Sequence, residues 1–346
     1  MSATAGTRQF DETIENLDGA SILVTGGTGS FGRSFVKRLF EVAKPHRVVV
    51  LSRDEQKHQM MIRDPEFARH PEIRYFIGDV RDLDRLQQAM SRIDYVVHAA
   101  AMKHIDLAEY NPFECIKTNV MGAENVVKAA LACGVRRVIA LSTDKACNPV
   151  NLYGASKLAS DKIFIAGNNL AGNHSTRFSV VRYGNVLGSA GSVVPFFRKL
   201  MAEGTDHIPI TDERMTRFWI TLRQGVNFVL SNFTLMRGGE IFIPKIPSST
   251  IPDLAQALAP DLPTKIIGIR PGEKLHEAMI TQDDAKNTVD LGDRYVIEPS
   301  INFFEREPFQ EARPVDPYFV YSSDRNSEWL DIDSLRHLID RAFRGL

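Results

Sequence analysis

From Ser21 onward, short aliphatic runs alternate with longer amphipathic stretches. Ser21–Thr25 (SILVT) and Arg47–Ser52 (RVVVLS) are apolar almost throughout, where a half-exposed strand would alternate. Continuous runs of this kind predict strands covered on both faces, as in a parallel sheet. Tyr95–His98 and residues 137–142 and 178–183 read the same way, and residues 73–78 read as extended. Ser30–Val42 and residues 56–68, 82–91 and 120–133 carry helical spacing between them. Strands separated by helices at this interval predict a doubly wound α/β fold with a parallel sheet.

Regularity loosens beyond Tyr153. Residues 158–170 predict a long helix, followed by Gly- and Pro-punctuated pieces through Ile210. A helix over 223–235, a strand at 241–243, and a helix and strand over 250–258 and 265–269 come after. No Pro/Gly-rich linker divides the chain. The expected arrangement is a core over 19–184, with further core segments after residue 220, and a smaller interleaved lobe built mostly from 185–346. Residues 1–18 are expected to form a frayed extension.

Charge and cysteine usage then narrow the function classes. The 346 residues hold 42 Lys plus Arg against 43 Asp plus Glu, a formal net charge of -1. That leaves no cationic surplus for neutralising nucleic-acid phosphates. No apolar run approaches the roughly 18 to 20 residues of a membrane helix, and the polar first residues lack a signal-peptide core. Cys115, Cys133 and Cys147 have no metal-ligand spacing and cannot all pair, which fits a reducing cytoplasm. No histidine cluster suggests a metal.

The first chemical signal is Thr25-Gly26-Gly27-Thr28-Gly29-Ser30-Phe31-Gly32, placed where a strand turns into a helix. A tight turn and close approach to a pyrophosphate need residues without Cβ, and the helix start directs free N–H groups at the anion. The spacing G-x-x-G-x-x-G resembles the short-chain dehydrogenase/reductase superfamily, particularly its extended branch, and implies a Rossmann core binding a nicotinamide dinucleotide. The second strand ends in Ser52-Arg53-Asp54, where the adenosine ribose would be read. Asp54 alone suits an unmodified ribose. Arg53 beside Ser52 offers a charge-assisted grip on a 2′-phosphate, so NADP is favoured over NAD.

The resemblance also implies an adenine contact at Asp79 and Val80, which end the third strand. Ala99, Ala100 and Ala101 end the fourth, where small residues let a planar cofactor lie on the backbone. Lys103 and Asn119 match family positions near the nicotinamide ribose or the substrate.

The fifth strand delivers Ser142-Thr143-Asp144-Lys145, and Tyr153-Gly154-Ala155-Ser156-Lys157 follows. At i and i+4 of a helix, Lys157 shares a face with Tyr153 and is expected to lower its pKa, making the tyrosine a usable base. Thr143 supplies the hydroxyl partner. A simple dehydrogenase needs no second acid/base pair, so Asp144 and Lys145 point beyond plain redox chemistry.

The Asp-Lys pair within STDKACNPVNL, together with Tyr153, Tyr183-Gly184-Asn185-Val186-Leu187-Gly188, Gly191-Ser192-Val193-Val194-Pro195, Arg214-Met215-Thr216-Arg217-Phe218-Trp219, Arg270-Pro271-Gly272-Glu273-Lys274-Leu275-His276-Glu277 and the tail Ser322-Ser323-Asp324, resembles the inverting UDP-N-acetylglucosamine 4,6-dehydratases of pseudaminic acid biosynthesis. The likeness runs from about Ser21 to the C-terminus. It implies C4 oxidation by Tyr153, Lys157 and Thr143, elimination of water by Asp144 and Lys145 (the lysine acting as a neutral amine), and reduction at C6 with inversion at C5. Val186 would lie against the cofactor and Asn185 against the sugar. Ser192, Val193 and Val194 at a helix start, with the planar fork of Arg270, suit the diphosphate, while Glu273 can accept from ribose hydroxyls. A UDP-sugar 4-epimerase or reductase, or a non-catalytic nucleotide sensor on the same fold, are the alternatives. Relatives form homo-oligomers.

Overall fold

Every residue of β1 (Ser21–Thr25) is buried, and the interior residues of β2 (Arg47–Ser52) are too. Both strands lie inside a 10-stranded sheet, paired on both sides. With β3 (Ile73–Ile77), β4 (Tyr95–His98), β5 (Arg137–Thr143) and β6 (Arg177–Tyr183), they run in the order β3-β2-β1-β4-β5-β6, all parallel. Ile241–Pro244 continues the parallel set beside β6, and Arg294–Ile297, Thr288–Asp290 and Arg313–Pro314 extend it antiparallel. β3 closes the other edge and is only partly covered, with Ile73 buried and Arg74 and Ile77 exposed. The fold is the doubly wound α/β architecture expected. The computed structural model describes residues 8–172, 174–301, 306–310 and 312–344.

The order reverses between β1 and β4, and such a switch point opens a crevice at the carboxyl ends of the strands. Helix α1 (Ser30–Val42) starts there, burying Phe35, Val36 and Leu39 toward the sheet. The main hydrophobic core surrounds the sheet. A second cluster gathers Leu187, Val194, Phe197, Trp219, Leu254 and Leu335. A three-stranded sheet of Ser248–Thr250, Thr216–Thr221 and Asn185–Leu187 lies within that region.

Some expected boundaries move for identifiable reasons. The helix expected over 56–68 is two, Glu55–Arg63 and Pro65–Ala68, because a residue before proline leaves the helical region and Asp64 instead caps the second piece. The helix expected from 158 begins at Leu152, where Asn151 Oδ1 accepts from Gly154 N at 2.7 Å. Tyr153 and Lys157 therefore stand in its first turns. The helix Gly122–Cys133 is preceded by a π-helical turn, Lys117–Met121.

The expected frayed extension does not hold for residues 8–18. Phe10 and Leu17 are buried, with Phe10 edge-on to Phe228 at 5.0 Å. Arg8 pairs with Glu328 at 2.6 Å, and the Gln224 and Asn227 side chains donate to the Arg8 and Gln9 carbonyls. Apolar anchors and satisfied backbone groups hold this segment down. Residues 1–7 lie outside the described residues.

Candidate active site

The glycines of the first loop are there for close approach. Gly26 has φ +64°, and a Cβ on it would stand 2.9 Å from the Ala100 backbone nitrogen. A Cβ on Gly32 would run into the Gly27 backbone. Gly29 precedes α1 without any side-chain cap, so the first helical N–H groups are left for an anion.

A cleft of about 720 Å³ opens over this loop. It is lined by Gly26, Thr28–Gly32, Ser52–Asp54, Asp79, Val80, Ala99–Ala101, Lys103, Tyr153, Lys157 and Val186. These residues fit a dinucleotide laid across the strand ends, its pyrophosphate at the start of α1.

At the ribose end, Thr28 Oγ1 donates to Ser52 Oγ at 2.8 Å. Asp54 caps the next helix, accepting from Lys57 N at 3.0 Å, and that bond holds its carboxyl below the usual range. Arg53 is mostly exposed, its guanidinium 3.5 Å from Asp79. Lys103 Nζ donates to the Ala190 carbonyl at 2.7 Å, and Ala190 N donates to Ser30 Oγ at 3.3 Å.

Asn119 departs from expectation. It does not line the cleft but lies buried, accepting from Met102 N at 2.8 Å and donating to Met102 O at 3.0 Å and to Ser156 Oγ at 2.9 Å. Its amide satisfies loop backbone that would otherwise be buried unpaired, so it shapes the loop from behind.

Beyond β5, Thr143 Oγ1 donates to Asp144 Oδ1 at 2.9 Å and Lys145 Nζ donates to the same oxygen at 3.1 Å. Lys145 Nζ also lies 3.2 Å from Oε1 of Glu277. Burial opposes the Lys145 charge, but the two carboxylates outweigh it and raise its pKa. Lys145 therefore rests as an ammonium, not as the neutral amine expected. Burial raises the Asp144 pKa, and Asp144 Oδ2 has no hydrogen-bond partner. Glu277 is lowered: burial works against its charge, and Lys145, Arg217 and Lys274 prevail.

Burial pushes Tyr153 up to about 12, with Lys145 the strongest opposing influence and Thr143 also helping. The expectation that Lys157 would bring the tyrosine down is not met, because desolvation dominates. Lys157 is itself buried and lowered by that burial, with Asp161 acting the other way. Behind it, Asp161 Oδ2 accepts from Ser142 Oγ at 2.8 Å and lies 3.2 Å from Arg182 Nη2, tying the helix to β5 and β6.

The expected diphosphate and ribose contacts are not among the residues lining the cofactor cleft. Asn185 Oδ1 and Ser192 Oγ are buried without partners, and Ser192 precedes the uncapped helix Val193–Ala202 containing Val193 and Val194. Arg270 is exposed, and its N–H donates to Glu273 Oε2 at 3.4 Å. Glu273 Oε1 also lies 3.5 Å from buried Arg217. Asn151 Nδ2 donates to Gly272 O at 2.7 Å and Lys274 Nζ to Cys147 O at 2.6 Å, docking this segment on the catalytic turn. Arg217, Lys274 and Glu277 stand in motifs that carry the resemblance but were given no site role, since a partner far away in the chain leaves no local mark.

A nicotinamide cleft at the switch point, with a Tyr-x-x-x-Lys helix beside it, defines an extended short-chain dehydrogenase/reductase. The chain belongs to the polysaccharide biosynthesis protein family, whose model matches residues 22–299. It is 58% identical over 327 residues to a Campylobacter jejuni protein named UDP-N-acetylglucosamine 4,6-dehydratase (inverting), covering 92% of this chain and 97% of that one. The solved structure of Pen from Bacillus thuringiensis superposes with a TM-score of 0.87 at 36% identity, over 95% of this chain and 99% of that one. DesIV, a dTDP-glucose 4,6-dehydratase from Streptomyces venezuelae solved with NAD bound, matches with a TM-score of 0.63 at 25% identity, over 74% of this chain and 86% of that one. Among the described residues, no helix is long and apolar enough to cross a membrane.

Proposed function

We propose that the chain is an inverting UDP-N-acetylglucosamine 4,6-dehydratase, a lyase whose nicotinamide cofactor ends each turnover unchanged. The observation that carries this reading is the Asp144–Lys145 pair directly after Thr143, in electrostatic contact with Tyr153. Oxidation needs the tyrosine, a lysine and a hydroxyl; the second acid/base pair is what elimination adds. The near full-length likeness to the Campylobacter dehydratase supports the same substrate.

A nicotinamide held by Gly26, Thr28–Gly32, Ala99–Ala101 and Val186 would supply the hydride chemistry, as acceptor for C4 and donor for C6. Tyr153 removes the proton of the C4 hydroxyl. Because burial holds Tyr153 near 12, its ionisation relies on Lys145 and Thr143. The 4-ketone then acidifies the C5 hydrogen, so oxidation must come first. Asp144, raised by burial and with one oxygen unpartnered, hands a proton to the departing C6 hydroxyl. Lys145 takes the C5 proton once it has passed its own to a neighbouring carboxylate. A proton reaches C5 from the opposite face, inverting it and giving UDP-2-acetamido-2,6-dideoxy-β-L-arabino-hex-4-ulose, the first step of pseudaminic acid biosynthesis.

NADP is the proposed cofactor. Asp54 is engaged in capping, and the exposed Arg53 is free to meet a 2′-phosphate. Three free cysteines support a cytoplasmic setting, and the exposed apolar side chains of Leu107, Tyr110 and Phe113 support a homo-oligomer. The test is incubation with UDP-N-acetylglucosamine in heavy water. A product lighter by one water, with deuterium at an inverted C5, is expected. An unchanged sugar mass points instead to a 4-epimerase, and a gain of two hydrogens to a reductase.

A further inference from the structure

Glu277 is 2% exposed, and one of its oxygens has no hydrogen bond. Burying a carboxylate costs several kcal/mol unless cations compensate. Three cations face it: Lys145 at 3.2 Å, Lys274 at 3.5 Å, and Arg217 through space. Arg217 is engaged elsewhere, donating to the carbonyls of Thr216, Lys274 and Leu275, and Lys274 Nζ donates to Cys147 O. The shortest charged contact of Glu277 is thus with Lys145.

The backbone around Glu277 is clamped from two distant parts of the chain. Glu277 N donates to Ser323 Oγ at 3.0 Å, and Ser323 N donates to Glu277 O at 2.8 Å. Ser323 Oγ in turn shares a hydrogen bond of 2.7 Å with Thr216 Oγ1, which also meets His276 Nδ1 at 2.8 Å. Parts of the 214–219, 270–277 and 322–326 segments therefore converge on a single carboxylate behind the catalytic turn.

We infer that Glu277 is a positioning residue for Lys145: sharing the amine with Asp144, it fixes where the nitrogen points and when it carries a proton. This rests on the proposed dehydratase chemistry. The groups acting on Lys145 are Asp144 and Glu277, which favour its charge, and Arg217, which opposes it; Tyr153 lies within its field. Removing the Glu277 charge leaves Asp144 alone against burial and Arg217, so Lys145 gives up its proton more readily. A carboxylate that only neutralised Arg217 and Lys274 would not have this effect.

The test compares wild type with Glu277→Gln and Glu277→Asp. In Glu277→Gln, the pH at which turnover rises should fall by about one unit or more, with kcat reduced and KM for the nucleotide sugar nearly unchanged. Competitive acetylation of amines, read by peptide mass spectrometry, should show the same shift for Lys145. Glu277→Asp keeps the charge but withdraws it by one methylene from the 3.2 Å contact, and should shift both readings in the same direction by a smaller amount. If Glu277→Gln does not fold, Lys145 acetylation in Glu277→Asp still decides: a displaced profile supports the role. Unshifted profiles in the folded variants, with only lower thermal stability, would overturn it. If wild type fails to dehydrate UDP-N-acetylglucosamine while Lys145 acetylation still shifts in Glu277→Gln, the dehydratase reading falls and the positioning role stands.

Discussion

Gly154 lies so close to the Lys145 backbone that a Cβ there would overlap the Lys145 carbonyl oxygen and stand 3.1 Å from its carbon. The helix bearing Tyr153 and Lys157 thereby presses on the turn bearing Asp144 and Lys145. Gly154→Ala must push these two parts of the site apart. Overpacking of this kind costs about 1–3 kcal/mol, and a displacement near 1 Å can lower turnover about 100-fold. Thermal melting and steady-state turnover should both fall. Wild-type turnover in a folded Gly154→Ala protein would show that the two parts need not touch.

Lys145→Ala should abolish dehydration while leaving the nicotinamide cofactor bound, because Lys145 does not line the cofactor cleft. The substitution also removes the strongest influence opposing the rise of Tyr153. Oxidation at C4 should therefore become slower at neutral pH and recover at higher pH. Single-turnover absorbance of the reduced nicotinamide separates this effect from the loss of elimination. Normal dehydration by Lys145→Ala would remove the lysine from the mechanism.

The strands and the cofactor loop were legible because their signals are local. The bounds of β1, β2, β4 and α1 match the apolar runs and helical spacing that predict them, since a strand covered on both faces needs every residue apolar. The helix start at Leu152 was hidden by Asn148, Pro149 and Asn151, residues that also make turns; here Asn151 is a cap. Phe10 and Leu17 carry no periodicity within a polar stretch, so the docking of residues 8–18 left no pattern to read. Glu277 is the plainest omission. Glu277 directly precedes a short strand, and its role comes from Lys145, which folding brings to 3.2 Å. With the adjacent Asp144 as the larger influence, the same contact helps raise the Lys145 pKa against the burial of its charge.

Arg53 tests the choice between cofactors. Its guanidinium, held only by a 3.5 Å contact to Asp79, can turn to a 2′-phosphate. A hydrogen bond to a charged group contributes about 1.5–3 kcal/mol. Arg53→Ala should then weaken NADP binding roughly 10- to 100-fold and leave NAD binding little changed, as titration calorimetry with each dinucleotide would show. Equal losses for both would remove Arg53 from 2′-phosphate recognition.

His98 gives the protein a pH dependence of stability. Thr25 Oγ1 accepts from the N–H groups of Ala99 and Ala100, so its own proton goes to His98 Nδ1 at 2.8 Å, and the ring is neutral with its hydrogen on Nε2. Burial, reinforced by the charge of Lys157, brings the imidazole down from 6.5 to about 3. The unfolded chain binds this proton first, so the stability from keeping His98 neutral is fully present above about 6.5 and is lost as pH falls toward 3. Between about pH 6.5 and pH 5 the loss should reach about 2 kcal/mol, before most carboxylates titrate. Urea unfolding across that interval measures it, and His98→Gln, which cannot take up a proton, should flatten the slope. Because the folded His98 stays neutral down to about 3, the Thr25 contact to the Ala99–Ala100 shelf is kept, and the cofactor affinity of the folded protein should hold across the same interval. An equal slope in His98→Gln would assign the acid sensitivity to other groups.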